Sequence, residues 1–88
     1  MDPVQIAREI GRQANATGSP ARGHVTASGA HVWNDGTAYL VEVTNGGQSF
    51  GLYPIDGKGR RGDAIATAEA DRGVTVVAEA LLAYLRQP

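Results

Sequence analysis

The segment between residues 55 and 67 is a glycine-rich basic loop that offers the most direct chemical motif in this chain. Gly57-Lys58-Gly59-Arg60-Arg61-Gly62 has the spacing G-x-G-x-x-G. Such loops bind phosphate because glycines let backbone N–H groups approach the anion ahead of a helix N-terminus. A dinucleotide fold also needs parallel strands with helical crossovers, for which 88 residues with two hairpin signals are too few. We therefore expect no nucleotide and no other cofactor.

The same loop favours a second interpretation, contact with a nucleic acid. Lys58, Arg60 and Arg61 are three of the chain's eight basic residues, and Arg22 is a further candidate. Arginine and lysine bind phosphate, and exposed aromatic rings stack on bases. However, the formal net charge is −1 and the isoelectric point is about 6.0, whereas proteins that follow a phosphate backbone are usually strongly basic. Nucleic-acid binding is thus the alternative interpretation.

Histidines and carboxylates are candidates for a metal or acid–base site. Ser28-Gly29 marks either a bulge or a tight turn between His24 and His31. On one continuous strand, histidines seven residues apart would point to opposite faces unless a bulge shifts the phase. Asp35 follows, but no third ligand is suitably spaced. The absence of cysteine excludes disulfides and thiolate ligands. We expect no metal site.

Nucleophilic catalysis is not indicated either. Ser28 and Ser49 lack the sequence context of a nucleophile elbow, and the carboxylates are scattered along the chain. One small domain also has difficulty enclosing a pocket of several hundred cubic ångströms. The sequence therefore predicts a protein that is not an enzyme, with no catalytic residue.

Two helices are predicted to frame the chain. Asp2 to Ala16 has an N-cap aspartate, Pro3 in the first turn and Gln5 as the capping-box partner, with Gly11 allowing close approach by another element. Ala68 to Arg86, with Thr67 as its N-cap, has the strongest helical period, and one stripe contains Ala70, Val74, Val77, Ala78, Leu81 and Leu85.

The residues between these helices are typical of three or four antiparallel strands. The segments 34–36 and 45–47 are hairpin signals of the Asn-Gly type. Thr37 to Thr44 alternates, with Val41 on one face and Leu40 and Glu42 on the other, and a further strand ends before Pro54. Residues 64–66 form a short edge strand or lead into the last helix. We predict a single two-layer α+β domain over residues 1–88, with an antiparallel meander and a C-terminal helix packed on it.

This order of helix, three strands and helix resembles that of double-stranded-RNA-binding domains. In that family glycines before the last helix are followed by a lysine cluster that grips phosphates. Gly57 and Gly59 match the glycines, whereas Gly62, Asp63 and Ala66 stand at the lysine positions. Three strands plus a helix are also similar in outline to the arm-binding domains of phage-type integrases. The resemblance implies the fold and not RNA binding.

Surfaces, not a cavity, are therefore predicted to carry the function. We expect a small protein-binding module of the cytoplasm, an adaptor or an inhibitor of the kind used as a phage or plasmid accessory factor, with a homodimer about as expected as a monomer. No apolar run approaches the roughly 18 residues that span a bilayer. The protein-binding residues are predicted from apolar positions left outside the core and their neighbours, namely Leu40, Glu42, Tyr53 and Leu82. The first helix or a second copy can cover the remaining apolar surface of the last helix. In the alternative, both helices pack on one sheet face and Leu40 is a single exposed leucine.

Overall fold

The structure, a computed structural model, describes residues 1–27 and 29–87. A first helix is followed by an antiparallel five-stranded meander and a second helix, so the predicted α+β order is confirmed and the sheet has five strands where three or four were expected. In chain order the elements are α1 (Pro3–Thr17), β1 (Arg22–Thr26), β2 (Gly29–Asn34), β3 (Thr37–Thr44), β4 (Ser49–Ile55), β5 (Ala66–Glu69) and α2 (Val74–Leu85). Within the described residues, neither helix is long and apolar enough to cross a membrane.

Local sequence signals account for the start and end of α1. The Asp2 carboxylate accepts a hydrogen bond from the backbone N–H of Gln5, and the Gln5 side chain accepts one from the N–H of Asp2, at 2.9 Å each. This is the predicted capping box, which satisfies N–H groups that have no partner within the helix. At the other end Gly18 has φ 74° and donates to the carbonyl oxygens of the last turn.

The turn between β2 and β3 is the predicted hairpin. Asp35 and Gly36 have φ values of 50° and 82°, and Asn34 and Thr37 pair directly across them. Two central residues with positive φ match the right-handed twist of the flanking strands. The residue types at this turn therefore fix the register of the sheet's central hairpin.

The C-terminal segment differs from the prediction. Helix α2 begins at Val74 and not at Ala68, because the preceding residues 66–69 pair with β4 as the fifth strand. Thr67 is consequently a strand residue and not an N-cap, and Gly73, with φ 89°, precedes the helix. Half-buried and exposed residues alternate along β5, which is the two-residue period of a strand. The small alanines of this segment are compatible with the period of a strand and with that of a helix, which is why the sequence predicted a helix that begins too early.

Both helices lie on the same face of the sheet and also contact each other. Helix α2 must therefore be apolar on two sides, one against the sheet and one against α1. This corrects the prediction for Leu82, which was placed on an accessible surface: its side chain is 3% exposed and belongs to the core. The core contains Ile6, Ala7, Ile10, Ala14, Ala21, Ala30, Val32, Val41, Phe50, Leu52, Val77, Ala78, Leu81 and Leu82.

Strand β4 continues through Pro54 to Ile55, although proline was predicted to end it. The Pro54 carbonyl accepts a hydrogen bond from the N–H of Gly62, which belongs to the segment between β4 and β5. The nitrogen and the carbonyl oxygen of one strand residue point to the same side, so the Pro54 nitrogen faces this segment and not β3. The missing N–H therefore removes no hydrogen bond between β3 and β4.

Candidate functional site

The face of the sheet that points away from both helices is covered by neither helix of the described residues. Core residues such as Val32, Val41 and Leu52 point toward the helices, so their neighbours along each strand point the opposite way. We call this surface the open face. It consists of Arg22, His24, His31, Trp33, Ala38, Leu40, Glu42, Tyr53 and Ile55.

Strand register arranges these side chains in rows that cross the sheet. His24, His31, Leu40 and Tyr53 are successive partners on β1 to β4 and form one row. A second row starts at Arg22 and ends at Ile55, and its Trp33 is 50% exposed. The centre of the open face is therefore apolar and aromatic, with polar groups toward its ends.

One end of the open face is closed by a stack that involves the glycine-rich loop. The Tyr53 ring lies over Gly51, because a Cβ at Gly51 would be only 2.7 Å from Tyr53 Cε1. The Arg61 guanidinium carbon lies 4.4 Å from the centroid of the Tyr53 ring and its Nη1 donates to the Glu42 carboxylate. Glu42 and Tyr53, predicted as protein-binding residues, thus meet Arg61, which was predicted to bind nucleic acid. Sequence spacing gave no signal for this contact, which joins residues 19 positions apart.

The loop does not have the conformation of a phosphate-binding loop. The Asp56 carboxylate accepts hydrogen bonds from the backbone N–H groups of Lys58 and Arg60, both at 2.9 Å, and the Asp56 carbonyl accepts one from Gly59. The bonds from Arg60 and Lys58 lower the pKa of the Asp56 carboxyl. The N–H groups that would bind a phosphate are already occupied by an internal anion. The loop also leads into β5 and not into a helix.

The four basic residues predicted for nucleic-acid binding do not form one patch. Arg60 pairs with Asp56 at 3.0 Å, and the Arg22 guanidinium donates to the carbonyl oxygens of Ser19 and Ala21 at 3.0 and 2.8 Å. Arg22 lies on β1 and the loop follows β4, so about three strand spacings, roughly 14 Å, separate them. Of the loop's three cations, only Lys58 lacks an ion pair within the described residues.

The histidines lie on two strands and not on one. His24 on β1 and His31 on β2 are direct cross-strand partners on the same face. Ser28, predicted as part of a bulge or turn and considered as a nucleophile, lies outside the described residues. Asp35 belongs to the β2–β3 turn. Among residues 1–27 and 29–87, no three histidine or carboxylate side chains are grouped closely enough to hold a metal ion together.

The remaining serine considered for catalysis is held in a structural role. Ser49 is buried, and its Oγ accepts a hydrogen bond from the Asn45 amide at 3.3 Å. It borders a broad, open hollow at the end of the sheet, which Glu69 and Asp71 also line. Neither histidine lines this hollow.

Comparison of the chain with protein-family models, with curated proteins and with solved structures gives no match in any of the three.

Proposed function

We propose that this chain is a small non-enzymatic protein-binding module that binds its partner through the open face. One observation supports this: both helices cover one side of the sheet, while Trp33, Leu40 and Tyr53 lie on the other side, where no described helix covers them. Aromatic residues and arginine are enriched where protein interfaces gain most of their binding energy. A broad sheet face suits another protein surface better than a small molecule, which needs a concave pocket.

The charges on the open face favour a protein partner over a nucleic acid. Arg61 and Glu42 neutralise each other at one end of the open face, and the Arg22 guanidinium donates to backbone carbonyl oxygens. A polyanion would need unpaired cations whose counterions are released on binding. The partner we propose has an apolar centre that covers Trp33 and Leu40, surrounded by polar groups, and the module serves as an adaptor or an inhibitor in the cytoplasm.

The test uses three immobilised baits and proteins of the native host. They are the wild type, Leu40→Asp on the open face, and Val76→Asp on α2 as a matched control, since Val76 is 45% exposed on the helical side. A partner retained by the wild type and the control but lost from the Leu40 variant is then purified. Calorimetry with that partner should show binding weakened at least about tenfold by Leu40→Asp and by Trp33→Ala.

Three outcomes contradict the proposal. One is a purified partner whose affinity is unchanged by Leu40→Asp but is lowered by Val76→Asp. Another is binding to labelled oligonucleotides that falls steeply between about 50 and about 200 mM salt and vanishes when Lys58, Arg60 and Arg61 become alanine. A third is that no purified protein binds any of the three baits. A dimer that forms in the wild type and is abolished by Leu40→Asp identifies the partner as a second copy, which supports the use of the open face.

A further inference from the structure

The chain's two histidines are direct cross-strand partners at the edge of the sheet. His24 on β1 pairs with His31 on β2, and both belong to the open face. Directly paired residues of an antiparallel ladder have Cβ atoms about 4.5–5.5 Å apart on the same side. We propose that His24 and His31 together bind one divalent transition-metal ion.

The chemistry of the imidazole pair selects the class of ion. A neutral imidazole nitrogen binds Zn²⁺ at about 2.0–2.1 Å, so two rings on neighbouring Cβ atoms can hold one ion between them. Imidazole suits zinc, copper and nickel, whereas magnesium and calcium prefer oxygen ligands. The other coordination positions are left to water, because no third protein ligand is grouped with the pair in the described part of the chain.

Both rings are available for this role. Nδ1 of His31 is buried and has no hydrogen-bond partner among residues 1–27 and 29–87. A buried polar atom without a partner costs free energy, which a bound cation or a reoriented ring would recover. His24 is exposed on the edge strand, so its ring can turn toward the ion. The nearest cation on the same strand, Arg22, is held by the carbonyl oxygens of Ser19 and Ala21.

A bound ion would join β1 to β2 at the exposed edge of the sheet. All five residues of β1 are exposed, and β1 has a strand neighbour on one side only. A ligand that binds only the folded state raises its apparent stability in proportion to its concentration over the dissociation constant. Zinc should therefore raise the melting temperature and slow hydrogen exchange of the amides of β1.

The experiment titrates Zn²⁺ into the full chain, prepared without a histidine tag and freed of metal by a chelator. The wild type should bind one ion per chain, and His24→Gln or His31→Gln should each weaken binding about a hundredfold, because chelation by two groups is lost. Asp35→Asn is the matched control, since it removes a carboxylate from the neighbouring turn, and it should bind like the wild type. Mg²⁺ should not bind. With Cu²⁺, electron paramagnetic resonance should show two coordinating nitrogens in the wild type.

The proposal fails if the double variant His24→Gln/His31→Gln binds Zn²⁺ as tightly as the wild type, or if the wild type shows no saturable binding. A stoichiometry of one ion per two chains also overturns it, because the ion would then join two copies. Circular dichroism of the metal-free variants must match the wild type, so that a loss of binding reports the ligands and not the fold. The titrations use no Leu40 variant, so a failure of metal binding and a failure of the proposed protein-binding function are measured separately.

Discussion

The contacts of Arg61 differ from those that its glycine-rich sequence motif predicts. In the sequence it stands in a glycine-rich basic loop, but its guanidinium stacks on Tyr53 and pairs with Glu42. The side chains of Arg61 and Glu42 are 48% and 39% exposed, so solvent screens their attraction. We infer that Arg61 fixes the loop to the end of the open face.

The contact between Arg61 and Tyr53 can be measured directly. A double-mutant cycle with Arg61→Ala and Tyr53→Leu should give a coupling free energy of about 0.5–1 kcal/mol, the range for a cation–π contact near the surface. Urea unfolding of the four proteins provides the values. The matched cycle with Lys58→Ala should give no coupling, and an equal coupling for Lys58 would argue against the stack.

Glu9 provides a prediction of pH dependence at the residue scale. It accepts hydrogen bonds from Arg12 at 2.8 Å and Gln13 at 2.9 Å, and these lower the pKa of the Glu9 carboxyl from 4.5 to about 2. The contribution to stability is therefore complete above about pH 4.5 and is lost as the pH falls toward 2. Glu9→Gln should lower the free energy of unfolding by about 1 kcal/mol at pH 7 and by much less near pH 2.

Thermal unfolding at several pH values checks this prediction. Glu79→Gln on α2 is the control, since Glu79 forms no ion pair among the described residues and its removal should change little at any pH. A Glu9→Gln effect that is the same at pH 7 and near pH 2 would contradict the assignment to the ionised carboxylate.

At the scale of elements, α1 approaches β1 through two glycines. A Cβ added at Gly23 would lie 2.3 Å from the carbonyl oxygen of Ala7, and one at Gly11 would lie 2.9 Å from the backbone nitrogen of Gly23. Helix and strand therefore meet backbone to backbone, which requires the absence of side chains. The sequence predicted close approach at Gly11, but its partner Gly23 followed only from the tertiary structure.

Gly23→Ala should destabilise the protein by about 1–3 kcal/mol, because the added methyl group meets backbone that cannot move without shifting α1. Gly57→Ala is the matched control: no atom of the described residues lies within 4 Å of the added Cβ, so its effect should stay within about 0.5 kcal/mol. Chemical denaturation measures both. Equal effects of the two substitutions would refute the close approach.

At the scale of the whole molecule, two helices on one sheet face decide which leucines are accessible. Leu40 lies on the open face, whereas Leu82 is buried in the core. Both were predicted as surface residues, because a helix on one sheet face leaves Leu82 outside the contact. The sequence also allowed the first helix to cover part of α2, but the period of α2 by itself does not identify which element covers Leu82.

Substitution by aspartate distinguishes the two positions. Leu82→Asp removes a core side chain and buries a charge, so the loss should exceed about 4 kcal/mol, a large part of the stability of a small domain. Leu40→Asp should cost about 1 kcal/mol or less and leave the circular dichroism spectrum unchanged, because Leu40 is only half-buried and points away from the core. Unfolding of the Leu40 variant would mean that this leucine is part of the core and not of a binding surface.

Residues that are close in sequence already specified the local features of this protein: the capping box of α1, the turn at Asp35 and Gly36, and the alternation along β3. These depend on backbone dihedrals and on hydrogen bonds within a few residues. The side of the sheet that both helices cover, the pairing of His24 with His31 and the position of Arg61 over Tyr53 emerged only in three dimensions. Each of these depends on how separate segments align, and strand register and helix packing are set by the combined burial of many distant side chains.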